Sequence, residues 1–153
     1  MTAILAIDPG TTRSAWVLFD LDEQRLLDFA IEDNADLAAI LRINPDETPV
    51  VIEKIVSYGM PIGAETLETV FWSGRFAEAA GPAAVHRIPR KAIVTHLCGS
   101  ARAKDSNVRQ ALLDRFGPQG TKKAPGVLYG VHKDVWAALA LAVTWADTEG
   151  DQL

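Results

Sequence analysis

At 153 residues the chain can bury roughly two-thirds of the surface its unfolded form would expose, so it reads as one domain over residues 1–153. Its composition, 48% hydrophobic and 23% charged with a net charge of −5, is that of an ordinary globular protein. No apolar run reaches the ~20 residues that a membrane helix needs, and the N-terminus has no basic n-region, which excludes a spanning helix and a signal peptide as readings of this sequence. A single cysteine, Cys98, excludes an internal disulfide framework and suits a reducing cytoplasm, with the lone thiol a small core filler.

In chain order, "TAILAID" and "SAWVLFD" predict two strands joined by the turn "PGTTR", the first almost wholly apolar, like a strand covered on both faces. "RLLDFAIE" completes an antiparallel meander over 3–31. "NADLAAILRI" has helical spacing, with Asp33 or Asn34 as cap and Pro45 beyond its end. "TPVVIEKI" is a short buried strand and "SYGMPIGAE" a loop punctuated by glycine and proline. "AETLETVFWSGRFAEAAG" is a long helix closed by Gly81-Pro82, whose small residues Ser73, Gly74 and Ala77 allow close approach at a dimer interface. "AAVHRIP" is a further strand, and "RKAIVTHLCG" and "AKDSNVRQALLDRFG" are helices, the second ending at Gly117. "PQGTKKAPGVLYG" is a mobile loop by composition. "HKDVWAALALAVTWAD" closes the chain as an apolar helix with Asp134 in its first turn, where the macrodipole favours an acid. Trp72, Trp136 and Trp145 fall on apolar helical faces and read as core or dimer contacts. The order β-β-β-α-β-α-β-α-α-α predicts an α/β fold with a mixed sheet, three antiparallel strands followed by βαβ crossovers.

Charge is unevenly spread along these elements. Residues 1–84 carry five Lys/Arg against fourteen Asp/Glu, residues 85–133 ten against two, and the last twenty residues four acids and no base. A basic block inside an acidic chain predicts one face for a polyanion and another turned away from it. Three acids stand at comparable places: Asp8 closes the first strand, Glu53 the fourth, and Asp134 opens the last helix. Where the first and fourth strands are neighbours, the two strand-end acids lie close together and the last helix brings in the third. Such carboxylates repel one another unless a cation is present, and hard oxygen donors suit Mg²⁺. Two ions about 4 Å apart would activate a water and stabilise the leaving oxygen of a phosphodiester. Each acid singly also fits an ordinary strand end or helix start.

These segments resemble the RuvC-type Holliday junction resolvases of the ribonuclease-H-like superfamily, particularly their phage-encoded branch. "ILAIDPGTTRSAWVLFD" is similar to the family's first motif, in which a strand delivers an Asp before Pro-Gly, and "VVIEKI" to its strand-borne Glu. "GSARAKDSNVRQALLDRFG" is similar to the segment before the family's basic helix, and "HKDVWAALALAV" to its C-terminal acid-bearing helix. The resemblance implies a ribonuclease-H-like mixed sheet flanked by helices. It also implies a homodimeric endonuclease dependent on two Mg²⁺ ions, with Mn²⁺ as a substitute. Such an enzyme nicks branched DNA symmetrically to leave a 5′-phosphate and a 3′-hydroxyl. Asp8, Glu53 and Asp134 would then be the metal ligands, with Asp8 bridging the ions. The family's last helix usually offers a further ligand three residues away, but here Val131 and Ala137 occupy those positions. His132 and Asp105 are the candidate substitutes, His132 as a ligand or to orient the attacking water, Asp105 alternatively as a plain helix-start acid.

The candidate DNA contacts are Arg87, Arg90, Lys91, Arg102, Lys104, Arg109, Lys122 and Lys123. "IPRKAI" and "SARAK" put cations at helix starts, where free N–H groups also point at anions, and Lys122 and Lys123 lie in the loop that would close over one DNA arm. Such contacts set position and salt-dependent affinity rather than base specificity. Tyr58 follows the Glu53 strand where the family carries an aromatic wedge, two residues further along than the family places it, so packing or turn formation is its other reading. "IDPGTT" is also similar to the phosphate hairpin of sugar kinases and actin-like ATPases, but those need two such domains and a second Gly-rich loop. Two further alternatives are a non-catalytic nucleic-acid binder and a nuclease for flaps or RNA–DNA hybrids.

Overall fold

The computed structural model describes residues 2–43 and 47–150; Pro45 lies outside the described residues. Five strands, β1 (Ala3–Asp8), β2 (Arg13–Asp20), β3 (Arg25–Asp33), β4 (Val50–Lys54) and β5 (Val85–Pro89), form one sheet in the order β3-β2-β1-β4-β5. The helices are α1 (Asn34–Ile43), α2 (Ala64–Ala80), α3 (Arg90–Cys98), α4 (Asp105–Phe116) and α5 (Val135–Glu149), with a 3₁₀ turn over Pro82–Ala84 ahead of β5. The β1–β2–β3 meander is antiparallel, and β4 and β5 join it parallel to β1. The fold is the α/β mixed sheet that the pattern predicts.

Alternation along the strands divides the core in two, because successive side chains leave a strand on opposite faces. Ile4, Ala6, Val17, Phe19, Val51 and Ile88 pack on the α5 face, where Ile93 and Val94 of α3 and Val108 and Leu112 of α4 close the layer. Ile7, Val50 and Ile52 pack on the other face against Leu37 and Leu41 of α1 and Phe76 of α2. Helix α5 is buried without interruption from Val135 to Trp145 except at Ala137, which is why its sequence is apolar nearly all round. At its far end Asp147 accepts from Arg115 of α4 at 2.6 and 2.7 Å and meets His96 of α3 at 2.7 Å. The Arg115 hydrogen bonds, then that of His96, hold the Asp147 carboxyl below its usual range, so one carboxylate clamps three helices.

Three local expectations are corrected. Helix α1 starts at Asn34, which leaves Asp33, the other cap candidate, at the position before it, while the Asn34 side chain fastens the β1–β2 turn. Its amide donates to the Gly10 carbonyl at 3.0 Å and its carbonyl accepts from the Ser14 hydroxyl at 2.6 Å, while Ser14 accepts from the Gly10 N–H at 3.0 Å. Gly10 is required by that turn, since a Cβ there would lie 2.1 Å from the Arg13 carbonyl oxygen. Asp134 sits at the N-cap of α5 rather than within its first turn. Residues 118–130 form a hydrogen-bonded hairpin around the bridge Gly120↔Pro125, not a loose loop.

The Ser14–Asn34 pair is buried, so Asn34→Ala is expected to lower stability by about 1–3 kcal/mol through the orphaned Ser14 hydroxyl. Urea denaturation of Asn34→Ala, Ser14→Ala and the double variant checks this: the double variant should cost clearly less than the two singles together.

Candidate active site

The pairing of β1 with β4 runs in parallel register to Ile7↔Ile52, so the next residue of each strand brings Asp8 beside Glu53. Both share the parity of Ala6 and Val51, which face α5. Asp134, at the start of α5, completes the group. All three line one cavity of about 570 Å³, with Arg90, Asp105, Arg109 and Lys133 as its other charged residues and Ser106, Val108, Trp136 and Ala137 as the rest of its wall. An acidic floor therefore carries a basic rim.

The floor is electrostatically unsatisfied. Among the described residues neither the Asp8 nor the Glu53 carboxylate has a hydrogen-bond or ion-pair partner. Burial first, then Glu53 and Asp134, pushes the Asp8 carboxyl well above its usual range, with Arg90 pulling the other way. Burial also raises Glu53, again partly offset by Arg90. Arg90 itself is ion-paired with Asp105, the first residue of α4.

This donor set fits a hard dication. Half-buried carboxylate oxygens that open onto a cavity and have no other partner suit Mg²⁺ or Mn²⁺, and a cation would relieve the repulsion that helps raise Asp8. Among the described residues no three His, Cys, Asp or Glu side chains close into a ready-made ion site.

The remaining candidates divide by place. Arg90 and Arg109 line the cavity, Arg109 with its guanidinium 4.8 Å from the centre of the Trp136 ring. Asp105 lines it too, engaged by Arg90. His132 does not: it is exposed, and its Nδ1 is 2.9 Å from the Gly130 carbonyl oxygen. Arg87 pairs with Ile52 and lies with Val70, Ser73 and Ala77, on the α2 face opposite the acids. Tyr58 is 56% exposed at a left-handed turn, with the Lys91 ammonium 5.8 Å from its ring centre. Arg102 and Lys104 are exposed between α3 and α4, and Lys122 and Lys123 are exposed on the 118–130 hairpin. Trp145 is core, whereas Trp136 is nearly buried yet walls the cavity. Sequence reasoning missed Lys133 and Ser106, both cavity residues; the only sequence signal for Lys133 is its place beside Asp134 at the end of the basic block.

No protein-family model matches the chain, and no curated protein matches it in sequence. Among solved structures it is similar to RuvC of Thermus thermophilus, with a TM-score of 0.65 at 21% identity over 95% of this chain and 93% of that one. The chain has the fold of RuvC. The same relation holds for T. thermophilus RuvC in complex with a Holliday junction substrate, with a TM-score of 0.62 at 18% identity over 95% and 93% of the two chains.

A raised carboxyl is a cost that the metal-free fold carries once the group ionises. Below the unfolded-state pKa of about 3.9 Asp8 is protonated in both states and the cost is absent; it grows as pH rises from there and is complete above the folded-state value. Asp8→Asn is therefore expected to be more stable than wild type at pH 7 without metal, by about 0.5–2 kcal/mol, with the difference vanishing at low pH. Thermal unfolding across pH tests this, and added Mg²⁺ or Mn²⁺ should raise the Tm of wild type but not of Asp8→Asn.

Proposed function

We propose that the chain is a single nuclease domain that cleaves phosphodiester bonds of four-way or otherwise branched DNA, with metal ions held by Asp8, Glu53 and Asp134. The observation that carries this reading is the half-buried Asp8–Glu53 pair, without hydrogen-bond or ion-pair partners among the described residues, opening with Asp134 onto a cavity whose rim is cationic. The fold shared with RuvC, one of whose structures holds a Holliday junction substrate, supports branched DNA as the substrate.

Bound Mg²⁺ would supply Lewis-acid activation of a water and stabilisation of the leaving oxygen. The chain supplies the rest. The sheet holds Asp8 and Glu53 in place, since Asp8 ends β1 and Glu53 is the last residue but one of β4, both inside a hydrogen-bonded ladder. Arg90, Arg109 and Lys133 draw the phosphate over the acids. Asp105 keeps Arg90 on the rim by pairing with it. Ala137 lines the cavity one turn into α5 and offers no donor, so the second ion depends on fewer protein oxygens than the first. That same position favours the second reading, a branched-DNA binder without catalysis.

A homodimer is the proposed assembly. Of the small residues of α2 expected at this interface only Gly74 is exposed, since Ser73 is buried and Ala77 packs on the core. Gly74 continues at helical spacing a stripe of Leu67 and Phe71, 61% and 58% exposed, with Val70 also exposed. The exposed Tyr58 loop, next to this stripe in the chain, is the proposed contact with the junction centre.

Cleavage of a labelled four-way junction with Mg²⁺, beside a flap, a linear duplex and an RNA–DNA hybrid, tests the catalytic reading. Paired symmetric nicks in the junction are expected, leaving 5′-phosphate and 3′-hydroxyl ends and falling at least ~10³-fold in Asp8→Asn. Junction binding without cleavage of any substrate would sink it in favour of the binder. Sedimentation checks the assembly: wild type should be a dimer, and Leu67→Glu/Phe71→Glu a folded monomer.

A further inference from the structure

Residues 118–130 leave the end of α4, where Pro118 and Gln119 lie against Gln110 and Leu113, and return to the start of α5, where Lys133 lines the cavity. The hairpin is closed by its own bonds. Thr121 and Ala124 exchange backbone hydrogen bonds at 3.1 Å, and the Gly126 N–H donates to the Gln119 carbonyl at 2.8 Å. The crossing is tight enough to demand glycine: a Cβ on Gly126 would lie 2.0 Å from the Pro118 carbonyl oxygen. Beneath it the Gln119 amide donates to the carbonyls of Leu128 at 3.2 Å and Val131 at 2.8 Å, and its side-chain oxygen accepts from Arg109 at 3.3 Å. One half-buried side chain thus ties both legs of the hairpin to a cation of the cavity rim.

This rigid construction displays Lys122 and Lys123 at the tip, both exposed and without an acidic partner among the described residues. Lys122 and Lys123 are the two central residues of the turn that the Thr121–Ala124 hydrogen bonds close, so the backbone that carries them is held from both sides. Val127 and Tyr129 are also 61% and 43% exposed, apolar surface that a partner lying along the hairpin would cover.

We propose that the 118–130 hairpin is a preorganised arm that grips the phosphate backbone of one duplex arm of the substrate, with Lys122 and Lys123 as its contacts and Gln119 as its positioning residue. The inference rests on the branched-DNA reading above. It replaces a loop that closes over DNA with an element already in place, so binding loses little to ordering the chain. Gln119 acts through the hairpin and Arg109 and does not touch the substrate.

The test is equilibrium binding of a fluorescent four-way junction in EDTA, across about 50–200 mM salt, for wild type, Lys122→Ala/Lys123→Ala and Gln119→Ala. Removing both lysines should weaken binding by at least about tenfold and make the slope of log K against log salt shallower by about 2. Their exposure predicts an unchanged thermal transition. Gln119→Ala should weaken binding while keeping the wild-type slope, because both charges remain and only their placement is lost, and it should speed hydrogen exchange at the Thr121, Ala124 and Gly126 amides. Wild-type binding with an unaltered slope and affinity in the lysine variant overturns the arm alone. A wild type that binds no branched DNA overturns the arm together with the reading beneath it.

Discussion

Two carboxylates on adjacent parallel strands, facing the same way at the same end of the sheet, are the constraint around which this molecule is arranged. Asp8 and Glu53 cannot move apart without breaking the β1–β4 register, because Ile7 and Ile52 just before them are paired and fully buried. The repulsion is therefore locked in by backbone hydrogen bonds and by the apolar layers on both faces. A cation is the physical remedy, and Arg90 gives a partial one. Asp105 in turn holds Arg90, so the rim of the cavity is a balance of charges and not a simple basic patch.

The surroundings serve that pair. The Gly10–Ser14–Asn34 network secures the turn that follows Asp8, using a buried amide where an exposed helix cap would serve α1 alone. Helix α5 lies across the α5-facing layer and delivers Asp134 at its N-terminus, and the Asp147 clamp holds its other end to α3 and α4. Because α5 is buried along nearly its whole length, its position is set by packing density and leaves little freedom to the acid it carries. The site inherits its rigidity from the core.

Much of this was legible in advance, for identifiable reasons. Alternation and turn residues marked all five strands, and the helices α1 to α5 followed from their spacing and flanking glycines. A carboxylate ending an otherwise apolar strand is conspicuous, so Asp8 and Glu53 stood out. Less visible was the direction of side chains whose own environment is polar. Arg87 and Arg90 belong to the same basic run, yet one faces α2 and the other the acids, because Arg87 lies within β5 beside Ile52 while Arg90 opens α3. His132 and Lys133 precede Asp134 together, but only Lys133 lines the cavity; its backbone takes a left-handed conformation, and the His132 ring is spent on Gly130. The internal hydrogen bonds of the 118–130 hairpin are equally hidden from the sequence, because glycine, proline and lysine are also what an unbonded loop contains. What stiffens the hairpin is a tertiary hydrogen-bond set centred on Gln119.

The sequence by itself determined the order and kind of the elements, the uneven charge along the chain, and the acids at the end of β1 and beside the end of β4. Those features are local: they depend on period, turn chemistry and residue type within a few positions. Tertiary structure alone decided which charges meet. Parallel pairing of strands more than forty residues apart set Asp8 beside Glu53. The packing of α3, α4 and α5 on one face chose Arg90, Arg109 and Lys133 from the basic block and left the others outside the cavity. Electrostatic interaction depends on distance in space, and no local pattern encodes that distance until the core has fixed the chain around it.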